Sequence, residues 1–353
     1  MKRLMTLALV SAASSAVMAE GITWSGDFKY RYERNNQQVN AAQYKKFNQE
    51  RLALRLGAAA TPVEGVKIEA RLATGTGKST VNQTTNDNGA AATIGLNYDF
   101  KLDRANLVYD LAEGLALSVG RMGVKYSMVG GSDMLWDGDV NLDGLHLSHK
   151  MALGEMELMG NIGSFQIVQD KDLNAKESTL QAYQLAAKGG FGETKYLLAA
   201  TFYNFNNYGN TLAITNNGKA VDFQVVNPGL EVKLPISLPV TLFVDYSKNV
   251  AGNTSDRANA YMAGVKVNSL KEAGSWMVSY DYREVEEFAT AAIFTDSESF
   301  YSGSTNGRGH KVKTGYQVNS AVSVAANYFG GKANISTAAK NYSRIQLDLN
   351  AKF

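Results

Sequence analysis

The sequence predicts an all-β protein: a transmembrane antiparallel β-barrel of about sixteen strands, with short periplasmic turns and long outer loops. The prediction rests on an N-terminal export signal, on side chains that alternate between apolar and polar, and on connections that alternate between short and long. The chain has 353 residues and no cysteine, so a disulfide framework, a cysteine-ligated metal centre and a thiol nucleophile are excluded. No apolar run approaches the ~20 residues that a membrane-spanning helix needs.

Residues 1–19 are predicted to be a secretory signal peptide. A positive start at Lys2 and Arg3 precedes a short apolar segment at 4–10 and a small-residue cleavage site that ends in Ala19. This three-part pattern is typical of exported precursors, and its apolar part is too short to span a bilayer. We therefore expect the mature chain to start at residue 20 and to lie outside the cytoplasm.

The mature chain, residues 20–353, is predicted to be one barrel domain because its side chains alternate with period two. In the segment 22–34, Trp24 and Tyr30 share one parity with other apolar residues, and Arg31 shares the opposite parity with other charged residues. Successive side chains of a strand point to opposite faces, so each such strand has an apolar face and a charged face. The same alternation recurs at 50–58, 65–72, 240–246, 276–282, 322–328 and 343–353.

The connections between these strands alternate in length. Short connections occur at 61–65, 112–114, 153–155, 189–193, 236–239, 269–274 and 319–320. Longer polar stretches occur near 35–46, 77–97, 125–141, 169–178, 206–222, 250–256, 289–306 and 333–340. Seven short turns and eight long loops separate sixteen strands, and an even number of strands with both termini on the side of the short turns is how a single-chain outer-membrane barrel closes.

Alternation alone does not say which face of the sheet is wet. A water-soluble sandwich would turn its charged faces outward. Here the apolar faces carry Trp and Tyr near the strand ends, as the aromatic girdles at membrane interfaces do. The other faces carry several Arg and Lys each, too many for a protein core but suited to a water-filled lumen, which a ring of sixteen strands is wide enough to hold. Outer-membrane lipid is therefore the expected partner of the apolar faces.

Several segments resemble bacterial porins, and more narrowly the family labelled putative porin. The carrying segments are 102–109 (LDRANLVY), 119–121 (VGR), 135–145 (LWDGDVNLDGL) and 346–353 (QLDLNAKF). The family often has proline after the asparagine of the third of these segments, whereas this chain has Leu142 after Asn141. The terminal Phe353, behind alternating apolar residues, resembles the signal by which the assembly machinery recognises outer-membrane proteins.

The resemblance implies a porin in the outer membrane of a Gram-negative bacterium. Such a protein lets small hydrophilic solutes and ions diffuse passively through a water-filled channel, without a cofactor and without catalysis. General porins form trimers, so a homotrimer is an open expectation, and the natural solute and the preference for anions or cations are also open. The alternative is a substrate-selective channel, or a closed barrel whose outer loops bind a ligand or a surface.

The predicted pore chemistry lies on one wall and one loop. Closure of the barrel makes the last strand a neighbour of the first three, and the inward-facing basic residues of this wall are Lys29, Arg31, Arg51, Arg55, Lys67, Arg71 and Arg344, with Lys352 near the end of the chain. Their acidic neighbours are Asp27, Glu33, Glu69 and Asp348. The third long loop carries Asp133, Asp137, Asp139 and Asp143. In general porins this loop folds into the lumen, so the resemblance implies a constriction with loop acids opposite a basic wall. In the alternative interpretation, the wall charges only keep the lumen wet and the acids only solvate an exposed loop.

Other chemistries find little support in the sequence. His146 and His149 are three residues apart on a predicted strand, so they point to opposite faces and do not share a metal. The loop aspartates do not follow the twelve-residue calcium-loop pattern, and no metal site is predicted. After removal of Lys2 and Arg3, basic and acidic residues balance at 33 each, which does not favour a nucleic-acid partner.

Overall fold

The computed structural model describes residues 20–75, 83–84, 100–168, 177–211, 215–216, 219–252, 257–296, 298–300 and 305–353. The predicted signal peptide and most of the predicted second outer loop lie outside the described residues. Within them, sixteen long strands form one antiparallel sheet that closes on itself, so the predicted barrel is confirmed. No helix in the described part of the chain is long and apolar enough to cross a membrane.

The strands follow one another around the barrel in chain order. Their bounds are β1 Glu20–Gln38, β2 Tyr44–Val63, β3 Val66–Thr74, β4 Phe100–Ala112, β5 Leu115–Gly123, β6 Asn141–Leu153, β7 Met156–Val168, β8 Ser178–Phe191, β9 Thr194–Asn206, β10 Phe223–Leu234, β11 Val240–Asn249, β12 Asn259–Asn268, β13 Trp276–Val285, β14 Gly307–Gln317, β15 Val322–Ala333 and β16 Lys340–Lys352. The predicted first outer loop, 35–46, shrinks to 39–43 because β1 and β2 continue into it.

The barrel closes between its first and last strands. β1 pairs with β2 on one side and with β16 on the other, so Arg31 lies opposite Arg51 and also opposite Asp348. Each pairing is antiparallel, and each of the sixteen strands pairs with a neighbouring strand on both sides. A closed ring of this kind leaves no open sheet edge, which is the condition for crossing a bilayer with strands.

The distribution of side chains is that of an inside-out protein. Large apolar side chains are exposed on the outer face, among them Trp24 (63%), Leu185 (75%) and Leu347 (51%). Charged and polar side chains such as Glu33 and Gln346 point inward and are almost fully buried. Apolar side chains exposed on the outside and polar side chains gathered on the inside are the distribution of a transmembrane barrel.

Two outer loops fold into the lumen. The third outer loop, residues 124–140, and the described part of the seventh outer loop, residues 286–296, 298–300 and 305–306, meet inside the barrel and bury an apolar cluster, most of which packs against β7–β13. The Trp136 ring of the third loop lies 5.2 Å from the ring of Phe294 in the seventh loop and 6.2 Å from the ring of Phe205 on β9. This cluster fixes both loops on one side of the barrel and leaves the opposite side, formed by β1–β4 and β16, lined by charged groups.

A bulge in β4 changes the direction of two side chains. Arg71 of β3 pairs with Arg104, but the next residue, Leu72, pairs with Leu102, so Asp103 is the extra residue on β4. A bulge of this type sets two residues opposite one on the partner strand. As a result, Asp103 and Arg104 both face the lumen beside Arg71.

Candidate functional site

The basic residues of the predicted wall form a descending series on neighbouring strands. Arg31 and Arg51 lie at one level, directly opposite each other on β1 and β2. Arg55 lies four residues closer to the periplasmic turn on β2, opposite Asp27, and its Nε is 2.9 Å from Asp27 Oδ1. Arg71 on β3 lies lower again, because Arg55 pairs with Ala73, two residues above it. Strand register alone therefore brings these guanidinium groups onto one side of the lumen.

The upper part of this wall is held by its own acids. Arg31 binds Asp348 through Nε at 2.6 Å and through Nη2 at 2.8 Å. Arg344 Nε lies 3.7 Å from Glu33 Oε1 and donates a 2.7 Å hydrogen bond to Asn35 Oδ1. These contacts hold the guanidinium groups of Arg31 and Arg344 in fixed orientations.

The two predicted lysines of the wall differ from each other. Lys67 lies near the periplasmic end of β3 and pairs with Glu69 on the same strand. Lys29 lies two residues below Arg31 on the inward parity of β1, and the described residues offer it no ion pair.

Asp133 of the third loop does not face the predicted wall. Its carboxylate binds Arg283 Nη1 at 2.6 Å and Lys311 Nζ at 2.5 Å, and it lies 3.6 Å from Lys313 Nζ. These three bases are on β13 and β14. Burial alone would raise the pKa of Asp133, but the charges of Arg283 and Lys311 hold this pKa well below its usual range. Asp133 is therefore an ionised anchor for the loop.

Asp139 is the third-loop acid that faces the predicted wall. Its Oδ1 lies 3.8 Å from Arg55 Nη1, and both side chains are mostly buried. Asp137 lies beside Asp139 and Asp296. Burial, together with the charges of these two acids, raises the pKa of Asp137 to about 8. The two neighbouring loop acids thus differ: one pairs with the wall and the other is held mostly neutral at pH 7.

Asp143 is not a loop residue, because β6 begins at Asn141. Its Oδ2 lies 2.7 Å from Arg121 Nη1 on β5. Arg121 has the strand parity of Val119 and Asp143 that of Leu145, and both of these apolar side chains are exposed on the outer face. The register therefore separates the Arg121–Asp143 pair from the lumenal constriction, in which the sequence placed Asp143.

The seventh loop supplies acids that the sequence did not single out. Glu298 binds Arg31 and lies 3.8 Å from Arg51 Nη1, while Asp296 binds Lys311 Nζ at 2.9 Å. The sequence signal for them was only the presence of acids in the long polar stretch 289–306, because strand parity gives no direction for a loop side chain. Glu298 is thus the acid that faces the upper wall.

Main-chain hydrogen bonds join the two inward loops. The Asp137 N–H donates to the Phe294 carbonyl at 2.6 Å, and the Asp296 N–H donates to the Asp133 carbonyl at 3.2 Å. Gly130 N–H donates to Glu231 Oε2 of β10 at 2.7 Å. These bonds, the apolar cluster and the Asp133 anchor make the loop pair a fixed structure across the lumen.

The resulting geometry brings acids of the inward loops within ion-pair distance of bases on the wall. Asp139 and Glu298 come from the loops, and Arg31, Arg51 and Arg55 come from the wall. Opposed charges of this kind create a transverse field that orders water and selects among solutes by charge and dipole. Within the described residues, no group of three or more His, Asp or Glu could hold a metal ion.

Comparisons with known proteins agree with this fold. The family model described as putative porin matches residues 22–229 and 233–353. No curated protein matches the chain. The fold is similar to that of Pseudomonas putida OprB at high pH, with 11% identity over 94% of each chain and a TM-score of 0.66.

Two further solved structures share the fold. Salmonella typhi OmpF in complex with daunomycin has 11% identity and a TM-score of 0.55, with 94% of this chain and 97% of that chain covered. The outer-membrane channel DcaP of Acinetobacter baumannii has 13% identity and a TM-score of 0.52, with the same coverage. At these identities the likeness establishes the barrel fold.

Proposed function

We propose that this chain, which belongs to the family described as putative porin, is a non-enzymatic outer-membrane channel through which small hydrophilic solutes and ions diffuse passively. The observation that carries the proposal is the set of charged contacts between the inward loops and the wall of β1–β3 inside a closed barrel, with Glu298 opposite Arg51 and Asp139 opposite Arg55. Burial of ion pairs in a dry core carries a desolvation cost, so charged side chains on both the loops and the wall favour a water-filled lumen.

The roles of the individual residues are part of the proposal. Arg51 and Arg55 attract anions, and Asp139 and Glu298 limit that attraction and orient dipolar solutes as they pass. Asp137 adds a charge only when it is deprotonated. Asp133 positions the third loop and does not itself line the selective passage.

The surroundings of the channel follow from the same proposal. Apolar outer faces fit outer-membrane lipid, and the alternating β16 that ends at Phe353 fits recognition by the outer-membrane assembly machinery. A homotrimer is proposed by analogy with general porins. Residues 1–19 are proposed to direct export.

Planar-bilayer recording tests the channel. Purified protein should give stepwise openings, and stable silence would favour the alternative of a closed barrel whose outer loops bind a ligand. Arg51→Glu and Arg55→Glu together should shift the reversal potential in a salt gradient toward cation preference, because they reverse two charges of the passage. Arg31 is left intact because it also holds the seam through Asp348.

Lys195→Glu is the matched control for this measurement. Lys195 lies near the periplasmic end of β9, on the opposite wall. The control reverses one charge and the double variant reverses two, so a shift in the control about half as large as that in the double variant would show that only the total lumenal charge matters, and would remove the basic wall from the proposed selectivity.

A further inference from the structure

Below the proposed constriction, on the periplasmic side, the lumenal wall formed by β3 and β4 carries more basic than acidic groups. Lys67, Arg71 and Arg104 lie on β3 and β4, with Glu69 and Asp103 as their acidic neighbours. Each acid is already engaged, Glu69 by Lys67 and Asp103 by Arg71, whose Nε lies 2.7 Å from Asp103 Oδ2. The two acids lie near Arg104, but each makes its ion pair with another base and neither pairs directly with the Arg104 guanidinium.

Lys125 adds another positive charge to this side of the lumen, near enough for the charge of Arg104 to act on it. It stands at the start of the third loop, and its side chain turns back so that Nζ lies 3.1 Å from Ser118 Oγ on β5. Ser118 is closer to the periplasmic turn than the loop is, so the ammonium lies beneath the loop. The Lys125 side chain is exposed, and partial desolvation, together with the charges of Lys67 and Arg104, lowers its pKa against the opposing effect of Glu69.

Arg104 and Lys125 have no acidic partner within 4.0 Å among the described residues. Arg104 donates from Nε to Asn141 Oδ1 at 2.8 Å, and Lys125 donates to Ser118. A guanidinium carries five N–H donors and an ammonium three, so most donors of this pair are left for another acceptor. At the constriction itself every wall arginine faces an acid, which distinguishes this lower site.

The guanidinium of Arg104 is held in place by its neighbours. Asn141, its acceptor, donates a 2.9 Å hydrogen bond to Asp103 Oδ1. Gly123 on β5 leaves room for the guanidinium, because a Cβ at that position would lie 2.5 Å from Arg104 Nη2. The charge is thus preorganised rather than carried on a free side chain, which lowers the entropic cost of binding a ligand.

We propose that Arg104 and Lys125 form a binding site for a small oxyanion, a carboxylate or a phosphate, just beyond the constriction. The inference rests on the proposed channel function and names the class of solute that the channel favours. The planar donors of a guanidinium match the geometry of two oxygens on one carboxylate or phosphate, and the ammonium adds a point charge. A neutral solute of the same size gains neither.

Block of the ion current by added anions measures this site. In a bilayer held at constant ionic strength, succinate or inorganic phosphate should reduce the open-channel current in a saturable way, and neutral succinamide should not. Arg104→Gln with Lys125→Gln should weaken the block about tenfold, which is the change expected for the loss of one or two charge-assisted hydrogen bonds. Lys195→Gln, which removes one charge from the opposite wall, should leave the block unchanged.

The possible outcomes separate this inference from the channel itself. Block by succinate alone or by phosphate alone supports the site and identifies the chemistry of the solute. Stepwise openings with no saturable block by either anion, or with equal block in the wild type and the double variant, overturn the site and leave the channel standing. Absence of openings overturns the proposed function instead. Gly123→Ala, which displaces the guanidinium without removing its charge, should weaken the block as well, and an unchanged block in this variant would exclude Arg104 as the ligand.

Discussion

Arg31 and Asp348 are joined by two parallel hydrogen bonds across the seam between β1 and β16, although 317 residues separate them in the sequence. The pair faces the lumen and is nearly fully buried. Main-chain pairing closes the barrel, and this side-chain pair fixes the register of the closure, because a shift by one residue would turn one partner toward lipid.

Replacement of Asp348 by Asn tests the contribution of the seam pair. We expect the free energy of unfolding to fall by about 2 kcal/mol, because Arg31 keeps Glu298 but loses a bidentate carboxylate. Urea-dependent folding into lipid vesicles measures the change. Asp27→Asn is the control: its pair with Arg55 is more exposed and should contribute less than about 1 kcal/mol. Equal losses in the two variants would contradict a special role for the seam.

Replacement of Asp133 by Asn tests the anchor of the third loop. The substitution leaves Arg283 and Lys311 buried with one acid fewer, so we expect a loss of about 3 kcal/mol in folding free energy. The loop should also move more within the lumen and increase the fluctuations of the open-channel current. Asp143→Asn serves as the comparison, since Asp143 lies on β6 and pairs with Arg121. If the open-channel current of the Asp133 variant fluctuates no more than that of the wild type, the apolar cluster alone holds the loop.

The raised pKa of Asp137 predicts a pH-dependent selectivity. With a pKa of about 8, this carboxyl is mostly neutral at pH 6 and mostly charged at pH 9. The reversal potential in a salt gradient should therefore move toward cation preference as the pH rises through 8, and Asp137→Asn should abolish the movement. A wild type and variant that respond alike to pH would assign the effect to another group.

The same group has a consequence for stability. A carboxyl whose pKa is raised in the folded state binds its proton more tightly than the unfolded chain does, so stability falls as pH rises from the ordinary carboxyl range toward 8. Asp137→Asn should flatten this part of the stability profile. An unchanged profile would show that the proton on Asp137 is not linked to folding.

Arginine substitutions at two depths in the membrane test whether the outer face of the barrel contacts lipid. Leu185→Arg, near the middle of β8, should cost about 2–4 kcal/mol of folding free energy in vesicles, because an arginine at mid-membrane depth is poorly solvated. Leu153→Arg, at the end of β6 beside a periplasmic turn, should cost about 0–1 kcal/mol, because the interface is wet. Equal costs would contradict a lipid-facing surface.

The sequence could predict the barrel because its determinants are local. Period-two alternation assigns each strand residue to lipid or lumen, as with Leu347 outside and Gln346 inside, and the lengths of the connections separate outer loops from turns. Both features can be recognised in a single sequence without knowing which strands are neighbours in the sheet. Counting by two from the outward Leu102 assigns Arg104 to the outer face. Arg104 instead faces the lumen, because the bulge at Asp103 adds a residue to the strand.

Tertiary structure decided which charged residues meet at the proposed constriction. Alternation gives no direction to loop residues, so the sequence grouped Asp133 with Asp139, whereas packing sends Asp133 to Arg283 on β13 and Asp139 to Arg55 on β2. The seventh loop, with Glu298, enters the site through tertiary contacts, among them the packing of Phe294 on Trp136 and the ion pair of Asp296 with Lys311. By itself the sequence determined which faces meet lipid and which meet water, since strand periodicity is a property of consecutive residues. Only the fold decided which charges meet across the lumen, since those contacts join residues that are distant in the chain.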